Sequence, residues 1–366
     1  MIGSGSNYQT YVLIECCLPW EYEAFNSKTV PQNLRDLVEE VEHAQQKIRF
    51  LLITNDTTHK CAEHRKVLIY HNKNQELFGG YEKREFNADS IDKVAGIVRS
   101  YLAGEMPEGE IIDNQTTRDI LICTHGSHDT CCARYGNPFY AGAKALVSEL
   151  ELSNVRLWKS SHFGGHRFAP TAIDLPDGRY YGNLDRPSFQ SILTRTGDIE
   201  CLNKVYRGWG ILPTPIQVLE RELMLRYGWD WFDYKVAGCI VDRPSENEVF
   251  LAEITFETAD GTYTFRANLV KDAAKTIRLK GSCGAKKESE FVKYSVESLY
   301  FYSKKSEQKV LVFILQVCSQ YCLRQCDFKC SKFTKDLCKN CVRTLVCRIL
   351  RTKLLTTNRF YCGELT

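Results

Sequence analysis

Residues 118–136 read RDILICTHGSHDTCCARYG, and residues 155–168 read VRLWKSSHFGGHRF. Each segment opens as a short apolar strand and runs into a loop rich in Cys, His and Gly. Between them, Phe139, Ala143, Leu146, Val147 and Leu150 recur at helical spacing. A strand–helix–strand order puts both loops at the carboxyl edge of an α/β sheet, where such folds present functional groups. The loops carry Cys123, His125, His128, Cys131, Cys132, His162 and His166; eight residues separate Cys123 from Cys132, and three separate His162 from His166. Two thiolates and two imidazoles delivered in pairs make an N/S donor set that suits zinc or an iron–sulfur centre. Gly164 and Gly165 let the backbone turn tightly enough for both rings to face one point.

Working outward, 366 residues with 43% hydrophobic content leave room for two or three domains with cores of their own. No secretory-type apolar run follows Met1, and the longest apolar run, residues 310–317, is too short to span a bilayer. The expectation is a soluble, cytoplasmic protein without membrane attachment. In such a compartment, seventeen Cys argue for metal binding rather than a disulfide scaffold. The net charge of +3 is unevenly spread: residues 301–366 hold thirteen Lys and Arg against four Asp and Glu, together with eight of the Cys.

Upstream, TYVLIE (10–15) reads as a strand, and Leu34, Leu37, Val38 and Val41 as one face of a helix with Pro31 at its start. IRFLLIT (48–54) and KVLIYH (66–71) are short buried strands; Ile91, Val94, Ala95, Val98 and Leu102 mark a helix closed by Gly104. This β-α-β-β-α order is that of a thioredoxin-like unit, and residues 104–117 read as a linker. The order then starts again at Arg118 and ends with a hairpin at Asp177-Gly178 and a helix from Pro187. After Cys201, Thr214-Pro215-Ile216-Gln217 has the form of a capping box, opening a helix to Gly228, with strands at 234–241, 248–257 and 262–269. The expected fold is α/β, with tandem thioredoxin-like units (1–109 and 110–200), a small α+β region (201–302) and a basic Cys-rich tail without packed structure (303–366).

The Cys and His spacing does not match a zinc finger or ribbon, which has a short Cys pair. A Rieske pattern is excluded, because Cys123-Thr124-His125 is followed by no Cys-x-x-His. The strings CTHGSHDTCCA, WKSSHFGGHRFAP and LPDGRYYGNL, with IECCLPW, VPQNLRDLVEE and the GSCGA loop at 281–285, resemble the sucrase/ferredoxin-like family of thioredoxin-like [2Fe-2S] ferredoxins with bis-histidine ligation. The resemblance runs from residue 2 to about residue 300. It implies that Cys123 and Cys132 ligate one iron and His162 and His166 the other, with Cys131 outside the set. Family members carry a further segment ahead of the strand that begins at Thr10, so the chain looks shortened at its start. The tail has no family counterpart. There Cys318, Cys322, Cys326 and Cys330 recur every four residues, and Cys338 and Cys341 form a CxxC. An extraneous extension is the preferred account of the tail over a second metal site.

The implied function is electron transfer through the [2Fe-2S] cluster, with one-electron redox coupled to protons at the two imidazoles. Redox proteins, including a flavin-containing reductase, are the partners of such a carrier. Asp129, Ser160, Ser161 and Arg167 flank the ligands and stand where they can orient them. Two other readings use the same residues: a thioredoxin-like thiol oxidoreductase acting through Cys131 and Cys132, and a zinc-stabilised binding module. Cys283 reads as structural or incidental rather than as a ligand. No carboxylate pair forms a sugar-hydrolase motif, and the basic tail lacks an RNP, KH or zinc-knuckle pattern, so nucleic acid is not an expected partner.

Overall fold

The computed structural model describes residues 1–55, 65–72, 76–107, 110–112, 116–242 and 249–305. The tail features from residue 306 onward lie outside these. The first half contains β1 (Thr10–Glu15), α1 (Gln32–His43), β2 (Ile48–Thr54), β3 (Arg65–His71), β4 (Glu82–Ala88), α2 (Val94–Leu102) and β5 (Glu110–Ile112). The second contains β6 (Arg118–Cys123), α3 (Thr130–Glu149), β7 (Val155–Ser160), β8 (Ala172–Leu175), β9 (Arg179–Tyr181), α4 (Arg186–Thr194), α5 (Leu202–Val205) and β10 (Tyr206–Trp209). These strands form one ten-stranded mixed sheet in the order β10-β9-β8-β6-β7-β2-β1-β3-β4-β5. The chain is therefore α/β.

The two halves repeat one topology about the antiparallel joint between β2 and β7, where Ile53 pairs with Ser160 and Thr54 with Lys159. In each half a helix links a parallel pair, β1 with β2 and β6 with β7, and an antiparallel strand adds to the first member. Both loops that follow β6 and β7 consequently emerge at one edge. Alternation along β1 divides the core: Val12 and Ile14 pack with Leu34, Leu37 and Val38 of α1 and with Val94 and Val98 of α2, while Tyr11 and Leu13 face the cluster that continues through the second half. Side-chain bonds cross between the halves as well. Asp119 on β6 accepts from Lys83 at 2.7 Å, Arg156 at 2.7 Å and the Trp158 indole at 2.7 Å, and Arg156 also grips Glu85 on β4. Burial opposes the charge on Glu85, but Arg156 and Lys66 outweigh it and bring its pKa down to about 2.

Beyond β10 come α6 (Thr214–Tyr227), β11 (Lys235–Asp242), β12 (Val249–Thr258), β13 (Gly261–Lys271), β14 (Ile277–Lys280), β15 (Glu288–Phe291) and β16 (Tyr294–Lys305). β11, β12, β13 and β16 form a four-stranded antiparallel sheet, whose Ile254, Phe256 and Leu269 share a core with Leu219 and Leu223 of α6. β14 and β15 form a separate hairpin joined by the GSCGA loop.

The structure alters three local expectations. Residues 104–117 contain β5, because the outer edge of β4 accepts Glu110–Ile112 as an added antiparallel strand. The capping box at 214–217 does not form. Gln217 is buried and turns instead to the N-terminal segment, accepting from Gly5 N at 3.1 Å and donating to Gly5 O at 2.9 Å. On α3 the buried stripe is Cys132, Gly136, Tyr140, Ala143 and Leu146, so it begins at the cysteine itself; Phe139, Val147 and Leu150 lie only partly buried beside it.

Candidate metal centre

Cys123 ends β6, and its neighbour Thr124 donates its amide to Ser160 O at the end of β7, which holds the two loops side by side. Asp129 caps α3, its carboxylate accepting from Cys131 N at 2.9 Å. This cap sets the phase of the first helical turn, so that Cys132 faces inward while Cys131 faces outward. Gly136, one turn further, lies against the Cys123 carbonyl so closely that a Cβ there would collide with it. The absence of a side chain is what lets α3 approach the end of β6.

The result is a triangle of donors, two buried thiols and a half-buried imidazole. Cys123 Sγ lies 3.7 Å from His162 Nδ1, and Cys132 Sγ lies 3.4 Å from the same nitrogen. Cys123, Cys132 and His162 could hold a metal ion, their donor atoms all within 4.8 Å of one another. Hydrogen bonding from Cys132, with help from His162, pulls the Cys123 thiol well below its ordinary range against the cost of burial. The same contact, followed by burial and the charge on Cys123, holds Cys132 high, so the pair keeps one proton between them. A cation placed between the sulfurs would displace that proton, as thiolate ligation requires.

His166 stands outside the triangle but beside it, its ring 5.2 Å from that of His162 and inclined by 25°. Its Nε2 bonds to the Gly281 carbonyl, and its buried Nδ1, 4.0 Å from Asp129 Oδ2, has no hydrogen-bond partner among the described residues. An imidazole that donates one N–H to a carbonyl and keeps the other nitrogen out of any hydrogen bond has the arrangement of a metal-ligating histidine. Burial lowers the His166 pKa, favouring the neutral form that can ligate. The donors thus suit an N/S-bound metal or cluster in chemistry, burial and tautomer.

The remaining histidines are committed elsewhere. His125 accepts from His162 N at 3.2 Å through Nδ1 and donates to Glu21 O at 2.7 Å through Nε2, so both its nitrogens are engaged. Burial keeps it neutral by lowering its pKa. His128 stacks on His162 with ring centroids 4.1 Å apart, and exposed Tyr22 also stacks on His128 at 4.7 Å. Ser161 exchanges hydrogen bonds with Leu52 on β2, and Ser160 donates to the Ser161 carbonyl, so both hold the loop rather than facing the donors. Arg167 packs over Phe291, 3.6 Å from the ring centre.

Two supports were not recognised from sequence. Arg207 is buried beneath the Gly164-Gly165 turn and donates to Gly164 O at 3.1 Å and Ser4 O at 2.8 Å. Burial lowers its pKa to about 10. Gly165 has φ +82°, and any Cβ there would enter the Arg207 guanidinium. The only sequence signal was a lone cation in the apolar run YRGWGIL at 206–212. The other support is the 281–285 loop, whose Gly281 holds His166 and whose Cys283 donates its amide to Asp129 at 3.0 Å. Its signal was the GSCGA string, with nothing to say what it touches.

Fold and site together define an α/β protein with a cluster of buried Cys and half-buried His able to take a metal. Residues 1–208, which include nearly all of the ten-stranded sheet, match the family model described as sucrase/ferredoxin-like. The chain belongs to the sucrase/ferredoxin-like family. No curated protein and no solved structure matches it. Among the described residues, no helix is long and apolar enough to cross a membrane.

Proposed function

We propose that this protein is an electron carrier whose [2Fe-2S] cluster is held by Cys123 and Cys132 on one iron and by His162 and His166 on the other. The observation that supports it most is the convergence of two buried thiols on His162 Nδ1, with the Nδ1 of His166, which makes no hydrogen bond among the described residues, alongside. When bound, such a cluster takes up and returns one electron at a time, at a potential raised by imidazole ligation.

The chain's own groups do the rest. Gly281 fixes the His166 tautomer, and His125 anchors the His162 backbone, so neither ring must reorganise as charge changes nearby. His162 also lines a cleft with Tyr22, Arg49, His125 and His128, which gives one ligand ring a route to solvent protons. The stack from His162 through His128 to exposed Tyr22 marks the face where a redox partner, such as a flavin-containing reductase in the cytoplasm, comes nearest. On this reading the two topological repeats are tandem thioredoxin-like units, the second of which carries the cluster.

A zinc-stabilised module would use the same donors. Purification under nitrogen separates the two: a red-brown protein with two irons and two acid-labile sulfides per chain, giving a low-temperature EPR signal after dithionite reduction, supports the carrier. A colourless zinc protein refutes it. The thiol oxidoreductase reading is not favoured, because Cys132 faces Cys123 and His162 whereas Cys131 faces Cys283.

A further inference from the structure

The described free thiols are Cys16, Cys123, Cys131, Cys132, Cys201, Cys239 and Cys283. Two of them meet outside the donor triangle: Cys131 Sγ lies 2.7 Å from Cys283 Sγ, although 152 positions separate them along the chain. Cys283 is exposed and Cys131 partly so, and a small reagent can therefore reach the pair. The pairing is held from both sides. The Cys131 amide donates to Asp129 Oδ1 and the Cys283 amide to Asp129 Oδ2, so one carboxylate fixes the backbone of both cysteines. Two residues before Cys283, Gly281 bonds to His166.

Asp129, Cys131 and Cys283 also have the makings of a small metal site. The sulfur separation weighs against that reading: it is shorter than that of two thiolates on one tetrahedral zinc, which at Zn–S of about 2.3 Å stand roughly 3.8 Å apart.

We propose that Cys131 and Cys283 are a dithiol–disulfide couple, a second redox site that latches the 281–285 loop over His166. The bond itself is independent of the metal reading; only the role of the latch, covering one proposed ligand, rests on it. The co-reactant is a low-molecular-weight disulfide of the glutathione class. Exposed Cys283, as thiolate, attacks one sulfur of that disulfide and expels one thiolate; Cys131, as thiolate, then attacks Cys283 Sγ in the mixed disulfide and expels the second. Two protein thiols lose two protons and two electrons, and the small disulfide gains both to become two thiols. A dithiol reductant reverses the exchange. Linked, the loop keeps the Gly281 carbonyl on His166; unlinked, the Asp129 contact, that hydrogen bond and the β14–β15 hairpin retain it.

The test uses the full chain, purified under nitrogen and incubated with oxidised glutathione or with dithiothreitol. It is then alkylated, digested and mapped by tandem mass spectrometry, with iron and zinc measured on the same samples. The expected result is a peptide pair linked through positions 131 and 283 after oxidation, lost after reduction and absent in Cys283→Ser, whose metal content stays at the wild-type level. Hydrogen exchange at 281–285 should be slower in the linked form. Full alkylation of both cysteines after oxidation, a bond from Cys131 to Cys132, or zinc bound in proportion to intact Cys283 would overturn the proposal. A linked pair in protein without iron would refute the cluster and leave the latch standing; iron-loaded protein without the link would do the reverse.

Discussion

Cys132 Sγ lies 3.4 Å from His162 Nδ1, across thirty positions of sequence. The contact joins the first turn of α3 to the loop after β7, and it exists because a parallel β-α-β unit returns its second strand beside its first. Cys123, at the end of the first of those strands, completes the triangle.

If this triangle binds the metal, Cys132→Ser should weaken binding by more than the roughly 10–100-fold typical of losing a residue that only supports a ligand. Cys131→Ser should leave metal content unchanged, since its thiol faces Cys283. Metal analysis after dialysis against a chelator checks both, and equal losses in the two variants would contradict the assignment.

The histidines carry a separate prediction. With one proton accompanying each electron, the midpoint potential of the wild type should fall by about 59 mV per pH unit. His162→Cys and His166→Cys should each alter the EPR spectrum of the reduced protein and flatten that slope. Potentiometry between mildly acidic and mildly alkaline pH is the measurement, and a pH-independent potential in the wild type would exclude proton coupling.

Gly136→Ala tests the close approach that positions Cys132. The added methyl meets the Cys123 carbonyl, so α3 must shift outward. Overpacking of this kind costs about 1–3 kcal/mol, read as a lower urea midpoint, and it should also weaken metal binding. Gly142→Ala on the same helix meets nothing within contact distance and serves as the control.

Acid should loosen the metal-free site through His125. Its folded pKa lies below the ordinary histidine value because burial disfavours the cation, so the unfolded chain binds the proton first. Stability is therefore complete above about 6.5, the unfolded value, and declines as pH falls from there through the folded pKa. Protonation also ends the acceptance of His162 N by Nδ1. Urea melts at several pH values should show the decline, and His125→Gln should flatten it; an identical slope in that variant would mean that other groups dominate.

Much of the fold was legible because the relevant forces are local. The stripe Leu34, Leu37, Val38 and Val41 reports a helix with one apolar face, and the run from Ile120 to Cys123 a buried strand. β14 and β15 escaped notice because short, exposed strands such as Glu288–Phe291 carry little apolar alternation. β5 escaped because three residues between Gly109 and Asp113-Asn114 look like a loop until an edge is available to pair with them.

For the site, the sequence alone determined which chemistry was on offer: two Cys and two His at the ends of two strands, with a glycine pair to turn the second loop. Local spacing and residue type contain that information. Only the tertiary structure decided which groups meet. It brought His162 to both thiols, committed both nitrogens of His125, set Arg207 under the glycine turn and laid Gly281 and Cys283 against His166 and Cys131. Such pairings follow from burial of distant surfaces against one another, and neither hydrophobic period nor turn chemistry records the identity of a partner more than a hundred residues away.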